Sequence, residues 1–249
     1  MATTCCLVHL GLIPYKVALS LQRRLAALRA DGCIGDLLLL LQHTPVITLG
    51  RGGQRAHLLV EESTLAPRGI EFFEVERGGE ITYHGPGQLI GYPIVDLTEH
   101  GRDLHRYLRQ LEEVLIGTLG AFGIDAGRWN GRTGVWVRGR KIGSIGIHVS
   151  RWVARHGFAL NVDMDLAPFE LIVPCGIKDA KTTSMAEELS HHLPMDQVTA
   201  VVAERFGAAF EICLVPTPLT ALLSSIQGRN EDRSAMSPFQ EAVAAAPPR

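Results

Sequence analysis

Glycines and polar side chains alternate in one short stretch of the chain, Arg77-Gly-Gly-Glu-Ile-Thr-Tyr-His-Gly-Pro-Gly-Gln88, and Gly91 follows soon after. Glycine lets the backbone reach positive φ and come close to a ligand, at a cost in chain entropy. A hairpin with a glycine-rich turn is the alternative, but a plain turn needs one or two glycines. Two glycine pairs flanking a Tyr-His favour the wall of a binding site.

Cys175 is the candidate nucleophile among the five cysteines. It lies between Pro174 and Gly176 at the end of an apolar run, whereas the other cysteines lie in or beside apolar segments. A thiol near a cation has a depressed pKa and becomes nucleophilic near neutral pH. Lys141 and Lys178 are the candidate cations, and His84 and His148 the candidate bases.

Lys141 opens a second glycine-bearing stretch, Ile142-Gly-Ser-Ile-Gly-Ile-His148. A solvated lysine in a turn is the simpler interpretation. Glycines inside a strand, however, indicate that something packs closely against the backbone. We therefore expect Gly143–Gly146 and Arg77–Gly79 to form two walls of one cleft.

Composition indicates an ordinary globular protein. The 249 residues are 46% hydrophobic and 20% charged, with a formal net charge of −2. This charge favours no bulk binding of nucleic acid, and no apolar run is long enough to span a membrane. An odd number of cysteines without a pairing pattern indicates a reducing compartment. We expect a cytoplasmic protein.

Hydrophobic spacing predicts the elements that must position these residues. Helices are predicted at Tyr15–Arg29, Leu104–Phe122 and Met195–Phe210, with a shorter one at His57–Ala66. Strands are predicted at Cys5–Leu10, Leu37–Leu41, Val46–Leu49, Ile70–Glu76, Leu89–Val95, Gly134–Val137, Lys141–Val149 and Trp152–Asn161. Pro93 favours an edge strand or a bulge for its segment.

Residues 1–220 are predicted to form a single α/β domain, and residues 228–249 a mobile tail without a bounded apolar face. No Cys-x-x-Cys or His-Glu-x-x-His motif occurs, so we expect no metal. No phosphate-binding glycine motif occurs either. His43 and His156 are interpreted as turn residues, and His100 as a surface residue.

Several of these blocks together resemble a known family. The stretch from Arg77 through Gly-Tyr-Pro-Ile-Val-Asp-Leu97 is similar to the signature of the octanoyl-[acyl carrier protein]:protein N-octanoyltransferases. Further blocks agree in order: Gly134-Val-Trp-Val137, Arg140 to His148, Gly157 to Val162, and Pro174-Cys-Gly-Ile177 to Thr182-Thr-Ser-Met185. The resemblance covers about residues 7–215. Met185 and Gly143 are small departures from the family pattern.

The resemblance implies a mixed α/β sheet flanked by helices, like the catalytic domain of biotin and lipoate protein ligases. It implies an acyl-thioester on Cys175, and a Lys141 that lowers the cysteine pKa and acts as general base. The implied substrate pocket consists of Arg77, Gly78, Gly79, Glu80, Ile81, Thr82, Tyr83, His84, Ser144, Ile145, Gly146, Gly157, Phe158 and Ala159. Backbone amides near Cys175 or Gly78 are candidate oxyanion donors.

The implied reaction moves an octanoyl group from octanoyl-acyl carrier protein to the lysine of lipoyl domains. Its implied acceptors are the 2-oxoacid dehydrogenase complexes and the glycine cleavage H protein. No cofactor is expected, because a thioester is already activated. Acyl carrier proteins are acidic, so Arg138, Arg140, Arg151 and Arg155 are candidate docking residues, although ordinary solvated charges are an equal interpretation.

Two alternatives remain open on the sequence. An ATP-dependent lipoate or biotin ligase shares the fold, but it proceeds through an acyl-adenylate and has no use for Cys175 as a nucleophile. A non-catalytic binder of carrier protein or lipoyl domain is the second alternative. An intact Cys175 and Lys141 argue against that binder.

Overall fold

The computed structural model describes residues 3–173 and 181–227. Its strands are β1 (Thr3–Ile13), β2 (Asp36–His43), β3 (Val46–Leu49), β4 (Glu71–Glu74), β5 (Ile81–His84), β6 (Gln88–Ile94), β7 (Gly127–Trp129), β8 (Arg132–Val137), β9 (Arg140–Ser150), β10 (Val153–Asn161) and β11 (Ile212–Pro216). Its α-helices are α1 (Tyr15–Ala30), α2 (Leu104–Ala121), α3 (Met185–Leu189), α4 (Met195–Phe210) and α5 (Leu219–Gln227).

Eight strands form one mixed sheet in the order β11-β1-β2-β6-β10-β9-β8-β7. β1 pairs in parallel with both β11 and β2, and the remaining pairs are antiparallel. The predicted hairpin of β8 and β9 and its continuation into β10 are confirmed. The predicted mixed α/β architecture is likewise confirmed.

Helices cover both faces of this sheet, which explains the uninterrupted leucine run of β2. Leu38 and Leu40 pack with α2 and α4 on one face, while Leu37, Leu39 and Leu41 pack with α1 and α5 on the other. A strand buried on both faces has no need for polar alternation. The sheet is therefore the middle layer of the molecule.

Helix α2 begins at a side-chain cap. The carboxylate of Asp103 accepts hydrogen bonds from the N–H groups of His105 and Arg106, which is the preferred way to satisfy the first amides of a helix. Leu111, Leu115 and Leu119 then bury one apolar stripe against the sheet. This helix therefore packs against the face of the large sheet behind β9, the strand that carries Lys141.

A smaller sheet of three strands, in the order β4-β3-β5, lies beside the large one. Its apolar side forms a separate cluster with Ile47, Tyr83 and Phe169. β5 is the middle of the glycine-rich segment, so this small sheet positions one wall of the expected cleft.

The prediction of an edge strand around Pro93 is wrong, because β6 lies between β2 and β10 in the centre of the sheet. Pro93 is tolerated there because β6 and β10 stop pairing at that point. Their ladder ends at Gly91–Phe158 and is resumed by a bridge between Asp96 and Val153. A proline without an N–H can occupy such a gap in the ladder.

Two further differences concern shorter segments. The predicted helix at His57–Ala66 is replaced by separate 3-10 turns at Arg55–His57, Glu62–Thr64 and Ala66–Arg68. The predicted domain end at residue 220 falls inside α5, whose Leu222 and Leu223 pack against the sheet. The predicted tail at 228–249 lies outside the described residues.

Candidate active site

Lys141 is buried at the start of β9, opposite Trp136 of β8. Its Nζ lies 5.4 Å from the centre of the Trp136 ring, within the range of a cation–π contact. Gly134 makes room for the lysine chain: a Cβ at that position would lie 2.9 Å from Lys141 Cε. Lys141 is thus held in a narrow, buried space and not in a solvated turn.

The backbone of Lys141 is tied to the segment that follows Cys175 in the sequence. Its N–H donates to the Lys181 carbonyl at 2.8 Å, and its carbonyl accepts from the Thr183 N–H at 2.9 Å. On the N-terminal side of Cys175, the N–H of Val173 donates to the His57 carbonyl at 2.8 Å. Cys175 itself lies outside the described residues.

A cavity of about 410 Å³ opens between β5 of the small sheet and β9 and β10 of the large sheet. Lys141 lines it, and so do most of the predicted substrate-binding residues: Arg77, Gly79, Glu80, Ile81, Thr82, His84, Ser144, Ile145, Gly146, Gly157, Phe158 and Ala159. The structure therefore brings three distant stretches of sequence together around Lys141.

Two predicted residues, Gly78 and Tyr83, are not among those that line the cavity. Tyr83 packs edge-on against Phe169, with ring centroids 5.6 Å apart, in the apolar cluster of the small sheet. The N–H of Gly78 donates to the Ile147 carbonyl at 2.8 Å, so this amide already has an acceptor and does not suit the oxyanion role.

The expected contact between the two glycine-bearing stretches is present. A Cβ at Gly146 would lie 2.9 Å from the carbonyl oxygen of Gly78, closer than real Cβ atoms approach. Arg77 fixes the opposite side by donating to the hydroxyl and the carbonyl of Thr48, at 2.8 Å and 2.7 Å. Glycine is therefore required where the two sheets meet.

His84 belongs to a buried hydrogen-bond network. Gln88 Nε2 donates to Asn161 Oδ1 at 2.8 Å, so Gln88 Oε1 is the acceptor that faces His84 Nδ1 at 2.7 Å. Nδ1 of His84 therefore carries the proton. Burial lowers the pKa of His84 to about 3, so its neutral imidazole is a weak base at neutral pH.

His148, the other candidate base, is not among the residues that line the cavity. Its Nδ1 lies 3.2 Å from the Glu76 carbonyl oxygen. Partial burial, with the nearby Arg155, lowers the pKa of His148 below its ordinary value. Of the groups that the sequence offered as proton acceptors, Lys141 has the more suitable position.

Several residues at the inner end of the cavity were not predicted from the sequence. Tyr15, Tyr92 and His156 line it, and Trp136, also not predicted, lines the cavity beside Lys141. The interpretation of His156 and His43 as turn residues is wrong: both are buried, in β10 and β2. His156 combines a positive φ of 58° with an N–H that donates to Gln22 Oε1 at 2.8 Å.

The histidine and tyrosine side chains at this inner end are polar but uncharged at neutral pH. Burial lowers the pKa of His43 to about 4 and that of His156 to about 3, and raises that of Tyr15 to about 12. Within the described part of the chain, Tyr15 Oη and His156 Nε2 have no hydrogen-bond partner. Buried atoms of this kind are satisfied by water or a ligand.

The four arginines expected to dock an acidic partner all form ion pairs within the chain. Arg138 and Arg140 both pair with Glu188, whose side chain is almost fully buried. Arg151 pairs with Asp31, and Arg155 with Glu76. His100, expected at the surface, is instead bonded to the buried Asp36 at 2.7 Å.

No group of three metal-ligating side chains is found among residues 3–173 and 181–227. Within the same ranges, none of the helices has the length and apolar character needed to cross a membrane.

Comparison of the sequence with known proteins gives one consistent family. Residues 14–207 match the lipoyl protein ligase A/B catalytic domain. A protein from Solibacter usitatus, named octanoyltransferase, is 50% identical over 212 residues, covering 85% of this chain and 96% of its own length. An octanoyltransferase from Gloeobacter violaceus is 49% identical, covering 88% and 96%.

Solved structures agree on the fold. A bipartite lipoate protein ligase from Thermoplasma acidophilum superposes with a TM-score of 0.68 at 17% identity, over 99% of both chains. A lipoate-protein ligase A bound with ATP gives 0.65 at 17% identity, over 94% of this chain and 96% of the other. With relatives near 50% identity over most of its length, the chain belongs to the octanoyltransferase family of lipoyl protein ligase A/B catalytic domains.

Proposed function

We propose that the protein transfers an octanoyl group from octanoyl-acyl carrier protein to the target lysine of lipoyl domains. Membership of its family makes the chain an acyltransferase. The observation that carries the finer proposal is the position of Lys141, buried in the wall of the cavity and bonded to Lys181 and Thr183. Those two residues closely follow Cys175 in the sequence.

Cys175 is proposed as the nucleophile. Only one residue separates it from Val173, which is bonded to His57, and the imidazole of His57 lies 2.8 Å from Glu80 in the cavity wall. Two residues of chain span at most about 7 Å. Anchors on both sides of residues 174–180 therefore support a thiol near the cavity, within the field of Lys141.

The proposed reaction has two steps. The Cys175 thiolate attacks the thioester carbonyl, and the carrier thiolate leaves and takes a proton from the Lys141 ammonium, which leaves Lys141 neutral. The lysine amine of the lipoyl domain then attacks the acyl-enzyme, an amide forms, and the Cys175 thiolate leaves. Exchange of one thioester for another is nearly balanced in free energy, and amide formation drives the second step.

Lys141 has two roles in this proposal. As an ammonium it favours the thiolate of Cys175, and each unit by which the thiol pKa falls corresponds to about 1.4 kcal/mol. In its neutral form it accepts the proton of the incoming amine. Its burial beside the Trp136 ring keeps the head group near the cavity rather than in solvent.

The apolar part of the cavity suits an acyl chain. Ile81, Ile145, Phe158 and Ala159 line it beside backbone exposed by Gly146 and Gly157. We propose the lipoyl domains of the 2-oxoacid dehydrogenase complexes and the glycine cleavage H protein as acceptors. We also propose that the protein is located in the cytoplasm.

Intact-protein mass spectrometry after mixing with octanoyl-loaded carrier protein tests this function. We expect the wild type to gain one octanoyl group and to lose it when apo lipoyl domain is added. The Cys175→Ser variant is expected to gain none. Modification of the acceptor only when ATP and free octanoate are supplied would instead place the protein among the ligases.

A further inference from the structure

The mouth of the cavity carries an arginine between two tryptophans. Gly131, Arg132 and Thr133 line it where β8 begins, and Gly131 and Thr133 are exposed while Arg132 is half-buried. The Arg132 guanidinium carbon lies 4.4 Å from the centre of the Trp129 ring and 5.9 Å from that of Trp136. Contacts of this length hold a guanidinium by cation–π attraction and stacking.

Trp136 is shared by two cations. Lys141 Nζ lies 5.4 Å from its ring and Arg132 5.9 Å from the same ring. Trp129 meets Trp136 edge-on at 5.0 Å and is 39% exposed. Cations and indoles thus alternate from the buried Lys141 out to the surface.

Arg132 differs from the arginines around it because its charge has no carboxylate partner within the described part of the chain. Arg128 of the same hairpin pairs with Glu112 and Glu113, and Arg138 and Arg140 pair with Glu188. Among residues 3–173 and 181–227, neither an ion pair nor a hydrogen bond involves the Arg132 side chain. Its N–H groups are therefore available to a ligand.

When aromatic rings stack on the faces of a guanidinium, its N–H groups point outward from the edge. Two of them can then donate parallel hydrogen bonds to the oxygens of one phosphate. An acyl chain that fills the cavity with its thioester near Lys141 leaves its carrier arm at the mouth, beside Trp136 and Arg132. We propose that Arg132 binds the phosphate ester of the arm that carries the acyl donor. This inference rests on the proposed function.

The experiment compares three octanoyl thioesters: octanoyl-acyl carrier protein and octanoyl-coenzyme A, which both carry the phosphate, and octanoyl-pantetheine, which lacks it. The variants are Arg132→Gln and Arg132→Lys. Arg102→Gln is the matched control, because Arg102 stacks on Trp152 at 4.7 Å and is not among the residues that line the cavity.

For Arg132→Gln we expect kcat/KM to fall roughly ten- to a hundredfold with both phosphate-bearing donors, the range of a lost hydrogen bond to a charged group. With octanoyl-pantetheine the loss is expected to be at least fivefold smaller. Arg132→Lys keeps the positive charge but lacks the paired N–H donors of arginine, so its loss in kcat/KM is expected to be smaller than that of Arg132→Gln. Arg102→Gln is expected to match the wild type with all three donors.

Equal losses with all three donors would overturn the inference, because Arg132 would then act only through Trp136 and Lys141. A loss confined to the carrier protein would overturn it as well, since Arg132 would then recognise the protein surface rather than the phosphate. If the wild type transfers octanoyl from none of the donors, the proposed function fails. In that case calorimetry still tests the inference, because Arg132→Gln should then bind octanoyl-coenzyme A more weakly than the wild type. Equal affinities would overturn it.

Discussion

The side-chain amide of Asn161 donates a hydrogen bond of 2.9 Å to the backbone carbonyl of Thr183, whose own N–H is bonded to the carbonyl of Lys141. Asn161 also accepts from Gln88, which is bonded to His84. One path of hydrogen bonds therefore joins the glycine-rich segment to the strand that carries Lys141. The path fixes the distance between two walls of the cavity.

Replacing Asn161 by alanine should lower both stability and transfer rate. Two buried polar groups, on Gln88 and Thr183, would lose their partner, at a cost of about 1–3 kcal/mol each. We expect octanoyl transfer per folded molecule to fall at least tenfold, measured with saturating donor. Gln110→Ala is the control, since Gln110 Nε2 donates to the Ala209 carbonyl between two helices away from the cavity. A rate as little affected as that of the control would refute the positioning role.

Gly134→Ala should disturb Lys141 directly. Gly134 has φ 116°, and its added Cβ would lie 2.6 Å from the Gly143 carbonyl oxygen of β9 and 2.9 Å from Lys141 Cε of the same strand. Gly123→Ala, just after α2 and not among the residues that line the cavity, is the matched control, because Gly123 has φ 78° but no atom within 4 Å of an added Cβ. Both variants carry backbone strain of about 1–2 kcal/mol. We expect only Gly134→Ala to lower the rate of cysteine acylation more than tenfold, and similar rates in both variants would contradict this explanation.

Acid should destabilise the fold before its carboxylates titrate. Burial lowers the pKa of His43 to about 4 and those of His84 and His156 to about 3. Below pH about 6.5 the unfolded chain binds protons that the native state does not, so stability is lost as pH falls toward the native values. At pH 5 each histidine contributes a loss of up to about 2 kcal/mol.

Urea unfolding at pH 7.5, 6 and 5 measures this dependence. His156→Asn removes one of the three titrating groups and keeps a residue type that tolerates positive φ. We expect a visibly shallower pH dependence for that variant. Equal unfolding free energies at pH 7.5 and 5 for the wild type would show that the histidines are accessible to protons in the native state.

Asp36→Asn should be among the most destabilising polar substitutions. The Asp36 carboxylate is buried and accepts from Arg29 at 2.7 Å and from His100 at 2.7 Å. Burial opposes its ionisation, but these partners hold the pKa of Asp36 below its ordinary value. Removing the charge weakens the buried contacts with Arg29 and His100, at a cost of about 2–3 kcal/mol, while Glu99 and Asp96 still pair with Arg29 at 2.7 Å and 3.7 Å.

Asp31→Asn is the control for this substitution, because the Asp31–Arg151 pair is exposed and is expected to contribute no more than about 1 kcal/mol. Thermal denaturation of both variants at neutral pH gives the comparison. Similar melting temperatures for the two would contradict the ranking.

The sequence predicted features that depend on neighbours along the chain. Helix α2 follows from leucines three and four positions apart, and the role of Gly146 follows from glycine inside an apolar strand. The positions of His43, Pro93 and His156 depend on contacts across strands. Pro93 in particular is compatible with a central strand only because β6 and β10 stop pairing beside it, and no local pattern indicates that gap.

The same distinction between local patterns and tertiary contacts applies to the residues of the candidate site. Lys141 and most of the cavity wall come from recognisable blocks, whereas Tyr15 and Arg132 reach the cavity from segments without any motif. Trp136 was visible inside a family block, but its contacts with two cations depend on how β8 faces β9. Such contacts arise from tertiary packing, which spacing along the chain does not encode.

The parallel pairing of β1 with β11 has a consequence for how the chain is made. Thr3 lies opposite Ile212, so the first strand has no outer neighbour until almost the whole domain has been synthesised. Closing so long a loop costs chain entropy before any contact is gained, which slows folding. During translation the outer edge of β1 is an open template for wrong pairing, so the last step of native assembly is also the step that protects the nascent chain from aggregation.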